Sequence, residues 1–305
     1  MHGKTALKSS ASPLRGGPRV VETIAELRDA LAGPRQQGQT IGLVPTMGAL
    51  HAGHVSLVEA AAQRCDVVAV TVFVNPTQFA PNEDFERYPR NLEADLALLA
   101  ASGAQLVFAP AVTEIYRPGN QTSVDVGEVT KKLEGRFRPD HFRGVATIAL
   151  KLFEIAQPDA AFFGQKDYQQ TLVIRRMVAD LDVPVRIEVC RTVRDADGLA
   201  LSSRNAYLSA DERQRALAIP RSLELAANLV AGGTSDAAAI AAKMRDLLAQ
   251  SHVEPIDYVA LVDPETLDDV ATVSGPTLAV IAAYVGKTRL IDNMLLEPKP
   301  AQPKS

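Results

Sequence analysis

The chain has 305 residues, 47% of them apolar, enough for one large core or two of ordinary size. Its 32 basic and 36 acidic side chains leave a net charge of −4, which counts against nucleic-acid binding, and it has no Trp for a stacking platform. Its two cysteines, Cys65 and Cys190, are far apart in sequence and give no zinc or redox motif, and no apolar run reaches the ~18–20 residues of a membrane span.

Residues 1–18 are polar, with Gly, Ser and Pro, and lack the apolar segment of a signal peptide; they read as a disordered tail, as do residues 298–305. A soluble cytoplasmic protein is the expectation. Residues 23–31 carry Ile24, Leu27 and Leu31 at helical spacing. Residues 41–44 read as a buried strand, which Pro45 and Gly48 then break, and helical periodicity resumes at Val55. His51, Gly53 and His54 fall at the start of that helix. A helix N-terminus offers unpaired N–H groups and a positive dipole end, and glycines allow close approach, so the stretch reads either as a phosphate cradle or as two surface histidines beside a turn.

Residues 67–74 form a second apolar run suited to a central parallel strand. It leads into Asn75-Pro-Thr-Gln78, where Asn-Pro by itself means a turn and Gln78 a loop residue. Residues 91–102 read as a helix and 105–108 as a third strand. Strands alternating with helices imply a parallel sheet, whose ligands bind beyond the carboxyl ends of the strands. Residues 124–129 resemble an edge strand, and the charged and aromatic run 134–143 an exposed loop, before an apolar helix over 144–156.

Residues 160–163 read as a strand, followed by Gly164-Gln-Lys-Asp167 at a helix start. Asp167 fits an N-cap, Lys166 can supply a point charge to phosphate, and Gln170 lies on the face of Lys166 one turn on. After a strand at 186–189, Ser202, Ser203, Arg204 and Asn205 gather hydroxyls, a guanidinium and an amide, the groups that clamp phosphate oxygens. Beyond about residue 192 the texture changes. Ser209 to Glu212 is a capping box, two helices follow at 209–229 and 235–250, and strands at 256–262, 278–285 and 288–296 close the chain, the last two joined by Gly286-Lys287 as a hairpin. The expected fold is α/β: a Rossmann-like parallel-sheet domain over 19–192 and a smaller α+β domain over 193–297.

Four motifs together resemble one family. Pro45-Thr-Met-Gly-Ala-Leu-His-Ala-Gly-His54 is similar to the His-x-Gly-His motif of the class I adenylate-forming and nucleotidyltransferase superfamily. Phe73-Val-Asn-Pro-Thr-Gln-Phe79, Phe163-Gly-Gln-Lys-Asp-Tyr-Gln-Gln170 and Asp197-Gly-Leu-Ala-Leu-Ser-Ser-Arg-Asn205 narrow the resemblance to the pantoate–β-alanine ligase (pantothenate synthetase) family, over about 19–297.

The resemblance implies an AMP-forming C–N ligase of pantothenate biosynthesis, on the route to coenzyme A. Pantoate attacks the α-phosphate of ATP, with Mg2+, to give pantoyl adenylate, and β-alanine then displaces AMP. It implies catalytic roles for His51, His54, Lys166, Ser202, Ser203 and Arg204. Those residues, with Met47, Gly48, Gly164, Asp167, Val193 and Leu201, would bind ATP, and Gln78, Gln170, Met47, Thr46 and Asn75 would surround pantoate and β-alanine. It also implies a homodimer and a C-terminal lid. Gln165 stands where many members carry Glu, and Leu201 where some carry Met. The alternatives are a nucleotidylyltransferase acting on a phosphate monoester, a relic of an aminoacyl-tRNA synthetase, and a non-catalytic nucleotide sensor.

Overall fold

Six short runs of β-branched and small apolar residues form one parallel sheet. The computed structural model, which describes residues 17–80 and 85–298, forms them as β1 (Arg19–Val21), β2 (Ile41–Thr46), β3 (Val67–Val72), β4 (Leu106–Phe108), β5 (Ala160–Gly164) and β6 (Arg186–Cys190). They lie in the order β1-β4-β3-β2-β5-β6, every neighbour parallel. Helices α1 (Ile24–Gln36), α2 (Ala52–Arg64), α3 (Leu92–Leu99), α4 (Val112–Ile115), α5 (Glu134–Phe137), α6 (His141–Ala156) and α7 (Tyr168–Asp180) fill the connections.

Alternate strand residues face opposite ways, and both faces are covered. Leu43, Ala69, Phe108 and Ala161 join α1, α6 and α7 in one core cluster. Val44, Val68, Val70, Val107 and Phe162 join Leu57 and Val58 of α2 and Leu99 of α3 in another. The chain leaves β2 toward β3 and β4 on one side and later returns to place β5 on the other. The switch point therefore lies between β2 and β5, and ligands are expected beyond the ends of these two strands.

Helices α8 (Ala210–Ala216), α9 (Ala218–Ala231) and α10 (Ala237–Gln250) precede an antiparallel sheet of β7 (Ile256–Val262), β8 (Thr277–Val285) and β9 (Thr288–Leu296), in that order. The helices and one face of this sheet enclose a second core. On its other side, Val262, Leu267, Leu278 and Val280 meet Leu133 and Leu172 of the first unit in an apolar seam. The expected architecture, a Rossmann-like sheet followed by a smaller α+β unit, is the one observed. Among the described residues no helix is long and apolar enough to cross a membrane. The tail readings for 1–18 and 298–305 fall almost wholly outside the described residues.

Several local expectations are corrected. Strand β2 continues through Pro45 to Thr46. Both the N–H and the carbonyl of Ile41 turn toward the β5 side, and alternation turns Pro45 the same way, past the last paired residue Leu43, so its missing N–H costs no ladder bond. Residues 124–126 are not a strand: Thr147 Oγ1 takes the Val124 N–H at 2.9 Å, and a 3-10 turn follows over Gly127–Lys131. The helix expected over 209–229 breaks at Leu217, where Pro220 cannot donate to the preceding turn. Strand β1 has three residues, too few for a sequence pattern.

Candidate active site

Strand β2 delivers Thr46 to the switch point, and a tight turn leads into α2. Thr46 Oγ1 donates to the Thr71 carbonyl at 2.5 Å and accepts the Gly48 N–H at 3.2 Å, fixing the turn to the next strand. Asp95, buried on α3, accepts the N–H groups of Ala49 and Leu50 at 3.2 and 2.7 Å. Gly48 has φ +80°, and a Cβ there would meet Asp95 and Val72 at 3.0 and 3.1 Å. Gly48 thus serves the turn that leads into the cavity described below. Gly53 lines that cavity, and its missing Cβ leaves room for the His51 ring.

His51 is the N-cap of α2. Its Nδ1 accepts the Gly53 N–H at 3.1 Å, while Nδ1 of His54 accepts the His51 N–H at 3.3 Å. This is a capping box made of two imidazoles. It corrects the simple picture of a bare helix end, because the N–H groups of Gly53 and His54 are already spent inside the protein. What remains for a ligand is the Nε2–H of each ring, since a ring whose Nδ1 accepts carries its proton on Nε2. Burial, then the positive charge of Lys166, lowers the His51 pKa to about 4 against the opposing pull of Asp167 and Asp195. Burial, then His51 and Lys166, lowers that of His54 to about 3. Both rings are neutral donors at physiological pH.

The turn after β3 is tied just as closely. Asn75 is fully buried; its Nδ2 donates to Gln78 Oε1 at 2.9 Å and to the Gly144 carbonyl at 3.2 Å. Its Oδ1 accepts from Tyr116 OH at 2.9 Å and from Thr77. Every position of this amide is engaged within the protein, and through one of these bonds Asn75 orients Gln78. With Oε1 held by Asn75, the Gln78 amide presents its NH2 to the cavity it lines. Gly144 brings α6 against this turn, where a Cβ would sit 2.2 Å from the Thr77 carbonyl oxygen.

Beyond β5, the 3-10 turn Gln165–Asp167 leads into α7. Asp167 occupies the N-cap position but makes no capping hydrogen bond, contrary to expectation; its carboxylate lies 3.8 Å from Lys166 Nζ. Beyond β6, residues 193–201 fold back on themselves: the Leu201 N–H donates to the Val193 carbonyl, and Gly198 turns at φ +93°. Ser202 Oγ then accepts the Arg204 N–H at 3.3 Å. Arg213 braces this loop through Asp195 and Asp197, at 2.6 and 2.8 Å.

All these loops open on one cavity of about 1250 Å3. Thr46, Met47, His51, His54, Gln78, Gly164, Lys166, Asp167, Gln170, Val193, Leu201, Ser202, Ser203 and Arg204 line it. Its volume exceeds the ~300–1,000 Å3 of an ordinary small-molecule site, leaving space for more than one substrate. Sequence reading missed the cluster on its far wall. Glu134, read as part of an exposed loop, is buried on α5. Arg289 of β9 pairs with both its oxygens at 2.7 and 2.6 Å, and Tyr258 of β7 donates to it at 2.7 Å. Burial pushes the Glu134 pKa up, but the Arg289 guanidinium and the Tyr258 hydroxyl outweigh it and hold the carboxyl below its ordinary range. Among the described residues no group of three or more His, Cys, Asp or Glu is placed to hold a metal ion.

Residues 19–295 match the family model of pantoate–β-alanine ligase. A curated pantothenate synthetase of Moorella thermoacetica is 52% identical over 278 residues, covering 91% of this chain and 98% of that protein. The chain belongs to the pantoate–β-alanine ligase family. Among solved structures, pantothenate synthetase from Thermus thermophilus is similar at a TM-score of 0.88 and 46% identity, over 92% of this chain and 100% of the other. Pantoate–β-alanine ligase from Francisella tularensis, complexed with β-γ ATP and β-alanine, is similar at 0.75 and 34%, over 91% and 97%. Family membership makes this chain a ligase.

Proposed function

We propose that the cavity condenses pantoate with β-alanine to pantothenate, in two steps that use ATP. One observation carries this reading: neutral imidazole donors, a lysine and a Ser-Ser-Arg run meet glutamine amides within a single cavity. The first set suits polyphosphate, the second a small hydroxy acid.

A pantoate carboxylate oxygen attacks the α-phosphorus, and the bond to the bridging oxygen breaks to release pyrophosphate. Charge grows on the phosphate oxygens as this happens. Fixed donors in a dry site stabilise it most. His51 and His54 offer Nε2–H groups, Lys166 a point charge, and Ser202, Ser203 and Arg204 hold the departing oxygens. Gly164, Asp167, Val193 and Leu201 border the nucleoside. Gln78 and Gln170 bind pantoate, with Thr46 and Met47 in its wall. The β-alanine amine then attacks the acyl carbon, AMP leaves, and the amine loses its proton. Because both histidines are neutral, His54 acts here as a hydrogen-bond donor and not as a cationic acid.

Mg2+ belongs in this reading as a companion of the triphosphate. The described residues offer it no cage of their own, and Mg2+ keeps several waters and is held largely by substrate phosphates. The unit over 193–297 acts as a lid on the domain over 19–192, excluding water from the acyl adenylate. A homodimer in the cytoplasm completes the proposal. Incubation with pantoate, β-alanine and ATP should yield pantothenate and AMP in equal amounts, read by mass spectrometry. Release of ADP in place of AMP would exclude the adenylate route.

A further inference from the structure

Strand β9 belongs to the C-terminal sheet, and two consecutive residues on it grip two loops of the cavity, the one over 194–198 within its own unit and the lysine turn Gln165–Asp167 of the first unit. Asp292, buried, accepts both guanidinium nitrogens of Arg194, at 2.6 and 3.1 Å, and Arg194 also donates to the Gly198 carbonyl at 3.2 Å, inside the loop that leads to Ser202. The Asn293 N–H donates to Asp292 Oδ1 at 2.8 Å, locking the pair together. Asn293 Nδ2 then donates to the carbonyls of Gln165 and Lys166, at 3.0 and 2.8 Å.

We propose that Asn293 is a positioning residue for Lys166: both of its amide hydrogens fasten the turn that carries the lysine, and so set where the ammonium meets the phosphates. This rests on the reading of Lys166 as a phosphate ligand. The amide is poorly explained by stability alone. Asn293 is 5% exposed, and its Oδ1 is buried and accepts no hydrogen bond among the described residues. An unpaired buried oxygen is a cost that an apolar side chain would avoid. The three-residue turn Gln165–Asp167 has no side-chain cap of its own with which to hold one orientation. The grip also ties phosphate binding to docking of the C-terminal sheet, because β9 holds the lysine turn only while that sheet is seated.

The test is pantoate-dependent exchange of labelled pyrophosphate into ATP by wild type, Lys166→Ala, Asn293→Ala and the double variant. Asn293→Ala is expected to slow exchange about 10- to 100-fold with the pantoate KM within about twofold of wild type, and to add less than about threefold in the Lys166→Ala background, since residues that act as one unit are non-additive. Independent, multiplying losses, or an Asn293→Ala rate near that of wild type, would overturn the inference. A wild-type rate from Lys166→Ala would instead overturn the phosphate reading, and the inference with it. Should Asn293→Ala not fold, Asn293→Ser, which can still donate one bond, carries the comparison with a loss of about three- to tenfold expected; parity with wild type would overturn the inference. A second readout is the NMR titration of the His51 ring, whose pKa should rise in the folded Asn293 variant as the Lys166 charge moves away. An unmoved titration would count against displacement of the lysine.

Discussion

His51 and His54 stack at a ring-centroid distance of 4.1 Å, tilted by 42°, each with Nδ1 turned inward onto a backbone N–H of the same helix end. Protonating either Nδ1 would break a capping bond. Burial first, and then the nearby positive charge of Lys166, lowers their pKa values to about 4 and about 3 from an ordinary 6.5, which acts in the same direction. Ring nitrogen shifts in the free protein should therefore report the Nε2–H tautomer at both sites down to about pH 5. Between about pH 6.5 and 4 the unfolded chain takes up protons that the folded rings refuse, so these residues make the fold less stable as pH falls and contribute no slope above about 6.5. His54→Asn should flatten that acid slope in urea titrations; an unchanged slope would contradict neutral, buried imidazoles.

Asn75 and Gln78 share one hydrogen bond, and a mutation on the hidden side should act through the visible one. Gln78→Ala should raise the pantoate KM with little effect on that for ATP. Asn75→Ala should do the same by about two- to tenfold, since the Gln78 amide loses the one hydrogen bond that orients it, worth about 0.5–1.5 kcal/mol. Steady-state kinetics with each substrate varied in turn separates this from a general loss, which would raise both constants equally.

Asp95 supports the histidine turn through the Ala49 and Leu50 N–H groups. Burial raises its pKa against the pull of the Leu50 and Ala49 N–H bonds. Asp95→Ala strands two backbone donors and should cost about 1–3 kcal/mol for each, visible in urea unfolding. The adenylation rate should fall with it, because the His51 cap hangs from the same turn. Asp95→Asn keeps one acceptor and should lose about half as much stability.

Glu134 and Arg289 bridge the two units across a partly apolar wall. Arg289→Met leaves the buried Glu134 carboxylate and the neighbouring Asp257 without their cation and should destabilise the protein by about 3–5 kcal/mol. Adding Glu134→Gln should restore part of that loss. A double variant less stable than Arg289→Met alone would show that the pair is not coupled as described.

Much of this site is legible along the chain because each loop follows a strand that announces itself. Residues 41–54 and 160–170 read as strand, turn and helix start, and lie on either side of the switch point. The Ser209 capping box and the Gly286-Lys287 hairpin are local chemistry and form where expected. What is not legible depends on distant partners. Glu134 looks like one charge in an exposed run until Arg289, 155 residues later, closes on it. Asn293 sits in a strand-like pattern whose burial says nothing about the carbonyls of Gln165 and Lys166. Asn75 is legible as polar and close to the site, but its direction is set by Tyr116 and Gly144, which lie on other elements. The two histidines carry both lessons. Their spacing points to a helix end, and only the folded chain shows that they cap it themselves.

On the proposed mechanism, this cavity activates pantoate as an acyl adenylate before β-alanine is used. Pantoate-dependent exchange of labelled pyrophosphate into ATP, measured with Mg2+ and without β-alanine, tests it most directly. Label should enter ATP only when pantoate is present. Folded protein that makes pantothenate yet shows no exchange, or exchange that needs β-alanine, would rule out adenylation as a separate first step.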